Sequence, residues 1–270
     1  MFPKKVKPVD RLASGLYPSV ARHFNGFGSS AAHHMSEETG VAAVDRALSI
    51  LGTFTPQDHS LTLTQIAERA SLHKSTVLRL AESLQRAGYL VRITDGSYQI
   101  GSKPLQLGAI FQRQFRTSEY VVPVLRELVA LLGESASYYV PAQNGRICLH
   151  RVDAPRMIRD VVREGDWRPL ENGAAGSVIM AFRGDPGERL DRVRREFWAS
   201  SFGNEVDPEL AAVSVPVFGP DGGLAGALSI SGPRYRLEES GTKSYVPALQ
   251  DAARRLSANF GADTSIYPAA

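Results

Sequence analysis

The chain has 270 residues, 43% of them hydrophobic, which is enough to bury one large core or two ordinary ones. Its 31 Lys and Arg and 28 Asp and Glu give a net charge of +3 and a pI near 9.0, which permits an anionic partner without requiring one. A single cysteine, Cys148, excludes an intrachain disulfide and a cysteine-based zinc cluster, and no apolar run is long enough to span a bilayer.

Residues 1–40 are predicted to form a disordered basic tail. The first 34 residues carry five basic side chains (Lys4, Lys5, Lys7, Arg11 and Arg22) but only one acid, Asp10, and they lack the apolar segment of a secretory signal. Two alternatives remain open. The segment is a basic arm that binds nucleic acid, or translation starts at Met35 rather than Met1.

The segment from Val41 to Gly88 predicts three helices. In the first, Val44, Leu48, Leu51 and Phe54 recur at helical spacing and are expected to share the buried face. A short second helix begins at Thr62, which stands at capping-box spacing from Gln65. The third helix is predicted from Leu72 to Ala87, with Ser71 as its cap. A short helix, a tight turn and a longer helix are typical of a helix-turn-helix.

Two alternating runs follow Gly88, YLVRI and SYQIG, and Thr94, Asp95 and Gly96 join them. An Asp-Gly pair between alternating runs predicts a β-hairpin, and a hairpin after a helix-turn-helix makes a winged helix. We therefore predict a winged helix-turn-helix DNA-binding domain over residues 41–103, followed by a helical linker over residues 104–117.

The first turn of the third predicted helix combines small hydroxyl and basic side chains. The second helix of a helix-turn-helix lies in the major groove, and its free amides and dipole favour phosphate oxygens. Arg79 can instead contact guanine through two hydrogen bonds. An ordinary solvated helix is the alternative. The residues predicted to contact DNA, wing included, are Ser71, His73, Lys74, Ser75, Thr76, Arg79, Arg92, Thr94, Gly96 and Ser97.

Residues 118–262 mix predicted helices with strands, and residues 263–270 are predicted to be a tail. Hairpins are expected at Asn144-Gly145 and at GPDGG, so we predict an α+β domain with an antiparallel sheet covered by helices. The sequence has no HExxH, Gly-Lys-Ser or GxSxG motif, and no metal site, cofactor or catalytic residue is predicted. Cys148 is interpreted as a core residue; a small-molecule hydrolase is the alternative.

Several segments, in order, resemble the IclR family of bacterial transcription regulators. They are AVDRALSIL, LTQIAERASLHKSTVLRLAESLQRAGYLVR, GSYQIGSKPLQLG, RPLENGAAGSVIMAF and VPVFGPDGGLAGALSISGP. The resemblance implies a winged helix-turn-helix, a helical linker and a GAF-like effector domain. It also implies a bacterial cytoplasmic protein that acts as a dimer or dimer of dimers, probably excluding catalysis, and that represses transcription from a pseudo-palindromic operator.

The same resemblance implies a small-molecule effector, in many members a carboxylic acid, bound against the inner face of the sheet. The matching positions here are Asn172, Gly173, Ala174, Ala175, Glu205, Ser229 and Ser231. Ser229 and Ser231 are two apart on one strand and therefore share a face. Departures from the family pattern at Glu171, Ser177 and Pro216 leave the metabolite open. A DNA-binding protein without an effector is the remaining alternative.

Overall fold

A computed structural model describes residues 41–115, 117–203 and 208–268. The described chain forms two compact units, which separate after Phe115. The residues predicted as a basic tail lie outside the described ranges. No helix in the described ranges is long and apolar enough to cross a membrane.

The first unit begins with three helices, α1 (Ala42–Leu51), α2 (Leu63–Arg69) and α3 (Lys74–Arg86). Thr62 caps α2 as predicted: its side chain accepts from the Gln65 amide, and the Gln65 side chain accepts from the Thr62 amide. The helices enclose a core whose fully or nearly fully buried members are Ile50, Leu61, Ile66, Ala67, Val77, Ala81, Leu84, Leu90 and Tyr98.

The buried face of α1 differs from the predicted one. Ile50 is fully buried, whereas Val44 and Leu48 are 53% and 59% exposed. Ala47, Leu51 and Phe54 pack beside Ile50 against the core. Because α1 carries apolar residues on more than one side, spacing alone did not decide which side packs against α3. The other side leaves an apolar surface.

The predicted wing is present. Strand β1 (Leu90–Arg92) pairs antiparallel with β2 (Tyr98–Ile100), in the register Leu90 to Ile100. The fully buried Tyr98 ring anchors this hairpin to the helical core, and the Tyr98 backbone exchanges two hydrogen bonds with Leu61. Helix α4 (Lys103–Phe115) follows.

The second unit starts with helix α5 (Thr117–Leu132) and is built on a six-stranded antiparallel sheet. The strands are β3 (Ser135–Ala142), β4 (Gly145–Val152), β5 (Trp167–Pro169), β6 (Ala199–Phe202), β7 (Leu210–Phe218) and β8 (Leu224–Pro233), in the spatial order β5-β4-β3-β8-β7-β6. Asn144-Gly145 joins β3 to β4, and GPDGG joins β7 to β8, as predicted. The α+β class is therefore confirmed.

The remaining helices are α6 (Ala174–Arg183), α7 (Glu188–Glu196), α8 (Arg234–Glu239) and α9 (Val246–Asn259), with short 3-10 helices at Thr242–Tyr245 and Thr264–Ile266. Helices α5 and α9 pack together and on the sheet, as do α6 and α7. Their apolar sides meet the sheet in one core that contains Leu125, Ile179, Leu228, Ile230 and Leu249.

The carboxy-terminal segment is more ordered than the predicted tail at 263–270. Tyr267 is 5% exposed, and its ring packs edge-on to Phe218. The Tyr267 hydroxyl donates to the Pro216 carbonyl at 2.7 Å and lies 2.8 Å from the Ser257 hydroxyl. A large aromatic ring with a satisfied hydroxyl stabilises this segment on the second unit, which the polar sequence around it did not indicate.

Candidate functional site

The first turn of α3 presents a basic, polar surface above a fully apolar core. Lys74, Ser75 and Arg79 are exposed, while Val77 and Ala81 beneath them are fully buried. The first turn holds no acidic residue, and within the described chain no side chain caps it. The positive end of the helix is therefore available to an anion such as a DNA phosphate.

Ser71 does not cap α3, contrary to the prediction. The helix starts at Lys74 with His73 as its N-cap residue, and Ser71 has a left-handed backbone with φ 54°. The Leu72 amide donates to the Ala67 carbonyl, which closes the turn between α2 and α3. Ser71 thus forms the tight turn itself, and both Ser71 and His73 remain exposed beside Lys74.

In the wing, the structure separates exposed residues from those that hold the turn. Ser97 is 4% exposed, and its hydroxyl and amide both donate to Asp95, which lowers the pKa of that carboxyl. Arg92 donates from Nε to the Gly96 carbonyl at 3.1 Å and remains exposed. Ser97 therefore stabilises the turn from inside. Thr94 and Arg92 are the wing side chains that face solvent.

A basic groove between α1 and α3 was not predicted. It has a volume of about 400 Å³. Its lining includes Arg46 from α1 with Arg79 and Arg86 from α3, and one acid, Glu82. Arg46 lies beside Asp45 in the sequence, and that neighbouring acid concealed its contribution to the positive surface.

The second unit contains a cavity of about 80 Å³ at the amino end of α6, against β3, β4, β7 and β8. It brings together Gly173, Ala174, Ala175, Ser229 and Ser231 from the predicted effector set. Asn172 precedes this lining but is not part of it, and Glu205 lies outside the described residues. Ser229 and Ser231 do share a face, and that face is the cavity wall.

Both serine hydroxyl hydrogens are already used within the protein. The Ser229 hydroxyl donates to the Val213 carbonyl at 3.1 Å, and the Ser231 hydroxyl donates to Asp160 at 2.7 Å. A hydroxyl has one hydrogen to donate but can still accept. The two serines can therefore accept a hydrogen bond from a ligand, but they do not supply donors for a carboxylate.

Asp160 is a buried acid whose charge is already neutralised. Arg151 donates to its two carboxylate oxygens, with the shorter contact at 2.8 Å, and both side chains are less than 5% exposed. Burial opposes the charged form of Arg151, but hydrogen bonds and charges from Asp160 and Asp153 outweigh burial and raise its pKa. This pair holds the β4 end of the cavity wall and leaves no net charge there.

Arg146 is the residue of this site that sequence reasoning missed. It lies on β4, is 7% exposed, lines the cavity and donates from Nη1 to the Pro169 carbonyl. Burial lowers the pKa of its guanidinium. Alternation along β4 places Arg146 on the same face as the core residue Cys148, so the strand pattern contained a signal for it.

Cys148 is buried as predicted and shows no sign of activation. Burial raises the pKa of its thiol to about 12, which opposes a nucleophilic thiolate. The His150 Nε2 lies 2.9 Å from the Thr117 hydroxyl, and its Nδ1 lies 3.7 Å from Glu164. His150 thus contacts Thr117 and Glu164. In the described ranges, no three His, Cys, Asp or Glu side chains are grouped to hold a metal ion.

Comparison with known proteins agrees with both units. Residues 43–93 match the model of the IclR helix-turn-helix domain, and residues 187–258 match that of the bacterial transcriptional regulator IclR C-terminal domain. The chain is 26% identical over 247 residues to the HTH-type transcriptional regulator KdgR of Escherichia coli K12, which covers 81% of this chain and 94% of the relative.

Solved structures share the fold. The structure of a putative IclR transcriptional regulator from Silicibacter sp. TM1040 has a TM-score of 0.74 at 22% identity and covers 84% of this chain and 100% of that one. An IclR homologue from Microbacterium hydrocarbonoxydans, solved with 4-hydroxybenzoate, has a TM-score of 0.66 at 18% identity and covers 81% and 99%.

A winged helix-turn-helix joined to an α+β domain with an internal cavity defines a DNA-binding transcription regulator. The chain belongs to the IclR family.

Proposed function

We propose that this regulator is a repressor whose affinity for its operator changes when a small organic acid occupies the cavity of the second unit. The observation that carries the DNA-binding part is the exposed basic first turn of α3 above a buried apolar core. A repressor is proposed because a protein seated on a promoter blocks access to it. Action on DNA places the protein in the bacterial cytoplasm.

On DNA, the amino end of α3 lies in the major groove, and the wing contacts the adjacent backbone or minor groove. A dimer, or a dimer of dimers, presents two copies of α3 to a pseudo-palindromic operator whose half-sites are about 34–36 Å apart, one helical turn. Lys74 and Ser75 contact phosphate, and Arg79 contacts a base edge. Arg46 and Arg86 extend the basic surface beside α3.

Exposed apolar residues on the first unit support self-association. Val44 and Leu48 on α1 are more than half exposed, and Leu105 on α4 is 77% exposed. Apolar side chains at this level of exposure are typical of surfaces that pair with another protein. Covering them in a dimer stabilises the arrangement that sets the distance between two operator half-sites.

The proposed response to effector is a change in the population of DNA-binding states. A ligand shifts that equilibrium only as far as its affinities for the two states differ. The bound 4-hydroxybenzoate in the Microbacterium hydrocarbonoxydans homologue supports an organic acid as the class of effector. The proposal of a regulator without catalytic activity is supported by the regulator relatives and by the inactive environment of Cys148.

Replacing Lys74 with alanine is expected to weaken binding to all DNA sequences alike. If Lys74 contacts one phosphate, the slope of log K against log salt concentration becomes shallower by about one unit. Fluorescence anisotropy with labelled DNA at several salt concentrations measures that slope. Lys74→Arg is the matched control and keeps the slope. An unchanged slope in Lys74→Ala would remove Lys74 from the phosphate contact.

The effector response is tested with operator DNA and a panel of organic acids. Thermal melting first identifies acids that stabilise the folded protein, because a ligand that binds only the folded state raises the melting temperature. Anisotropy then measures operator affinity with and without each acid. A changed affinity supports the sensor. Stabilisation by an acid with unchanged operator affinity would contradict it, and absence of any stabilisation would favour a DNA-binding protein without an effector.

A further inference from the structure

We infer that Arg146 and the amino end of α6 form the anion anchor of the cavity, and that the effector is a small monoanionic hydroxycarboxylate. This inference rests on the proposed function, because it assigns the ligand class and the charged contact of the same cavity. Neither the sequence resemblance nor the related proteins assign a role to Arg146.

The first observation is a buried cation without a counter-ion. Arg146 is 93% buried, and its Nε has no hydrogen-bond partner in the described part of the chain. None of the ion pairs between described residues includes Arg146. Its contacts are the Pro169 carbonyl and the face of the Tyr139 ring, whose centroid is 5.3 Å from the guanidinium carbon. A buried guanidinium normally has an anionic partner, since desolvation otherwise opposes its charge.

The second observation is the position of this cation at the positive end of a helix. Gly173 precedes α6 with φ 85°, and a Cβ at Gly173 would lie 3.1 Å from the Arg146 Nη2. A Cβ at Gly176 would lie 2.7 Å from Nη1, so the absence of side chains brings the guanidinium against the first turn. A helix dipole favours anions at its amino end and disfavours cations there. An anion between the two positive groups satisfies both.

The cavity's own acid does not fill this role. Asp160 is held by Arg151 and by the Ser231 hydroxyl. The charges of Asp160 and Arg151 cancel, so Arg146 contributes the uncompensated positive charge of the wall. One such charge matches one carboxylate, which an arginine can bind through two parallel hydrogen bonds.

The opposite wall defines the rest of the ligand. Ser229 and Ser231 have donated their hydrogens and can only accept, so they match a ligand hydroxyl. The volume of about 80 Å³ accommodates about six water-sized groups. A carboxylate at Arg146 and a hydroxyl at the serines, joined by a short carbon chain, therefore describe a small hydroxycarboxylate such as lactate.

Lactate and lactamide form the test pair, because they have the same number of non-hydrogen atoms and differ in charge. Isothermal titration at constant ionic strength is expected to show saturable binding of lactate to the full chain and at least tenfold weaker binding of lactamide. Arg146→Gln should weaken lactate binding at least tenfold and leave any lactamide binding unchanged. Arg195→Gln removes the same charge from an exposed position on α7 and should bind lactate like the natural chain.

Melting without ligand separates a binding role from a structural one. Arg146→Gln retains a donor for Pro169 but removes the uncompensated charge, so it should melt no lower than the natural chain. No saturable lactate binding, equal binding of lactamide, or equal lactate binding by Arg146→Gln would each overturn the inference. A variant that melts well below the natural chain would make Arg146 a structural residue, which also overturns it. Lactate that binds through Arg146 without changing operator affinity would leave the anion anchor standing and contradict the sensor function instead.

Discussion

Glu134→Ala is expected to destabilise the second unit by roughly 3–5 kcal/mol, because it removes one partner of a buried ion pair. Glu134 is 2% exposed and accepts from Arg236 through both oxygens, at 2.6 and 2.8 Å. The hydrogen bonds from Glu134 raise the pKa of Arg236, which stays charged in the variant. Denaturant unfolding monitored by tryptophan fluorescence measures the effect, since Trp167 and Trp198 both lie in the second unit.

A solvent-exposed pair with similar geometry provides the control. Glu127 accepts from Arg255 at 2.9 and 3.0 Å, but its side chain is 56% exposed. Water screens exposed pairs, so Glu127→Ala should cost no more than about 1 kcal/mol. An equal loss of stability in the two variants would show that burial does not determine the contribution of the Glu134–Arg236 pair.

Arg79→Ala is expected to relax the base preference at one position of each half-site. If Arg79 donates two hydrogen bonds to a guanine, its loss reduces discrimination at that base pair by roughly 1–3 kcal/mol. Competition binding with operators substituted at one base pair each locates the effect. Arg86→Ala removes the same charge from the last turn of α3 and should weaken all operators to the same extent. Uniform weakening by Arg79→Ala as well would place Arg79 on the phosphate backbone instead.

Local signals in the sequence were sufficient for the winged helix. The Thr62–Gln65 capping box, the turn before α3 and the Asp95-Gly96 hairpin each depend on residues a few positions apart. Such features arise from backbone hydrogen bonding within one segment. The basic first turn of α3 was predicted for the same reason, since helix periodicity placed Lys74 and Arg79 outside.

The features that the sequence did not disclose depend on contacts between distant segments. The orientation of α1 was set by packing of Ile50 against the core, and the order of the carboxy-terminal segment by Tyr267 on Phe218. The commitment of the Ser231 hydroxyl to Asp160 joins residues 71 positions apart. Arg146 had a partial signal in strand alternation, but its position at the α6 amino end required the fold.

Selection of bound DNA from a random pool tests the central claim most directly, with the natural chain and with a Lys74→Ala/Arg79→Ala double variant. The account predicts a two-fold-symmetric motif for the natural chain, with half-sites one helical turn apart, and loss of that motif in a variant that still melts like the natural chain. Recovery of the same motif by the double variant, or of no motif by the folded natural chain, would contradict the assignment of α3 as the DNA-reading helix.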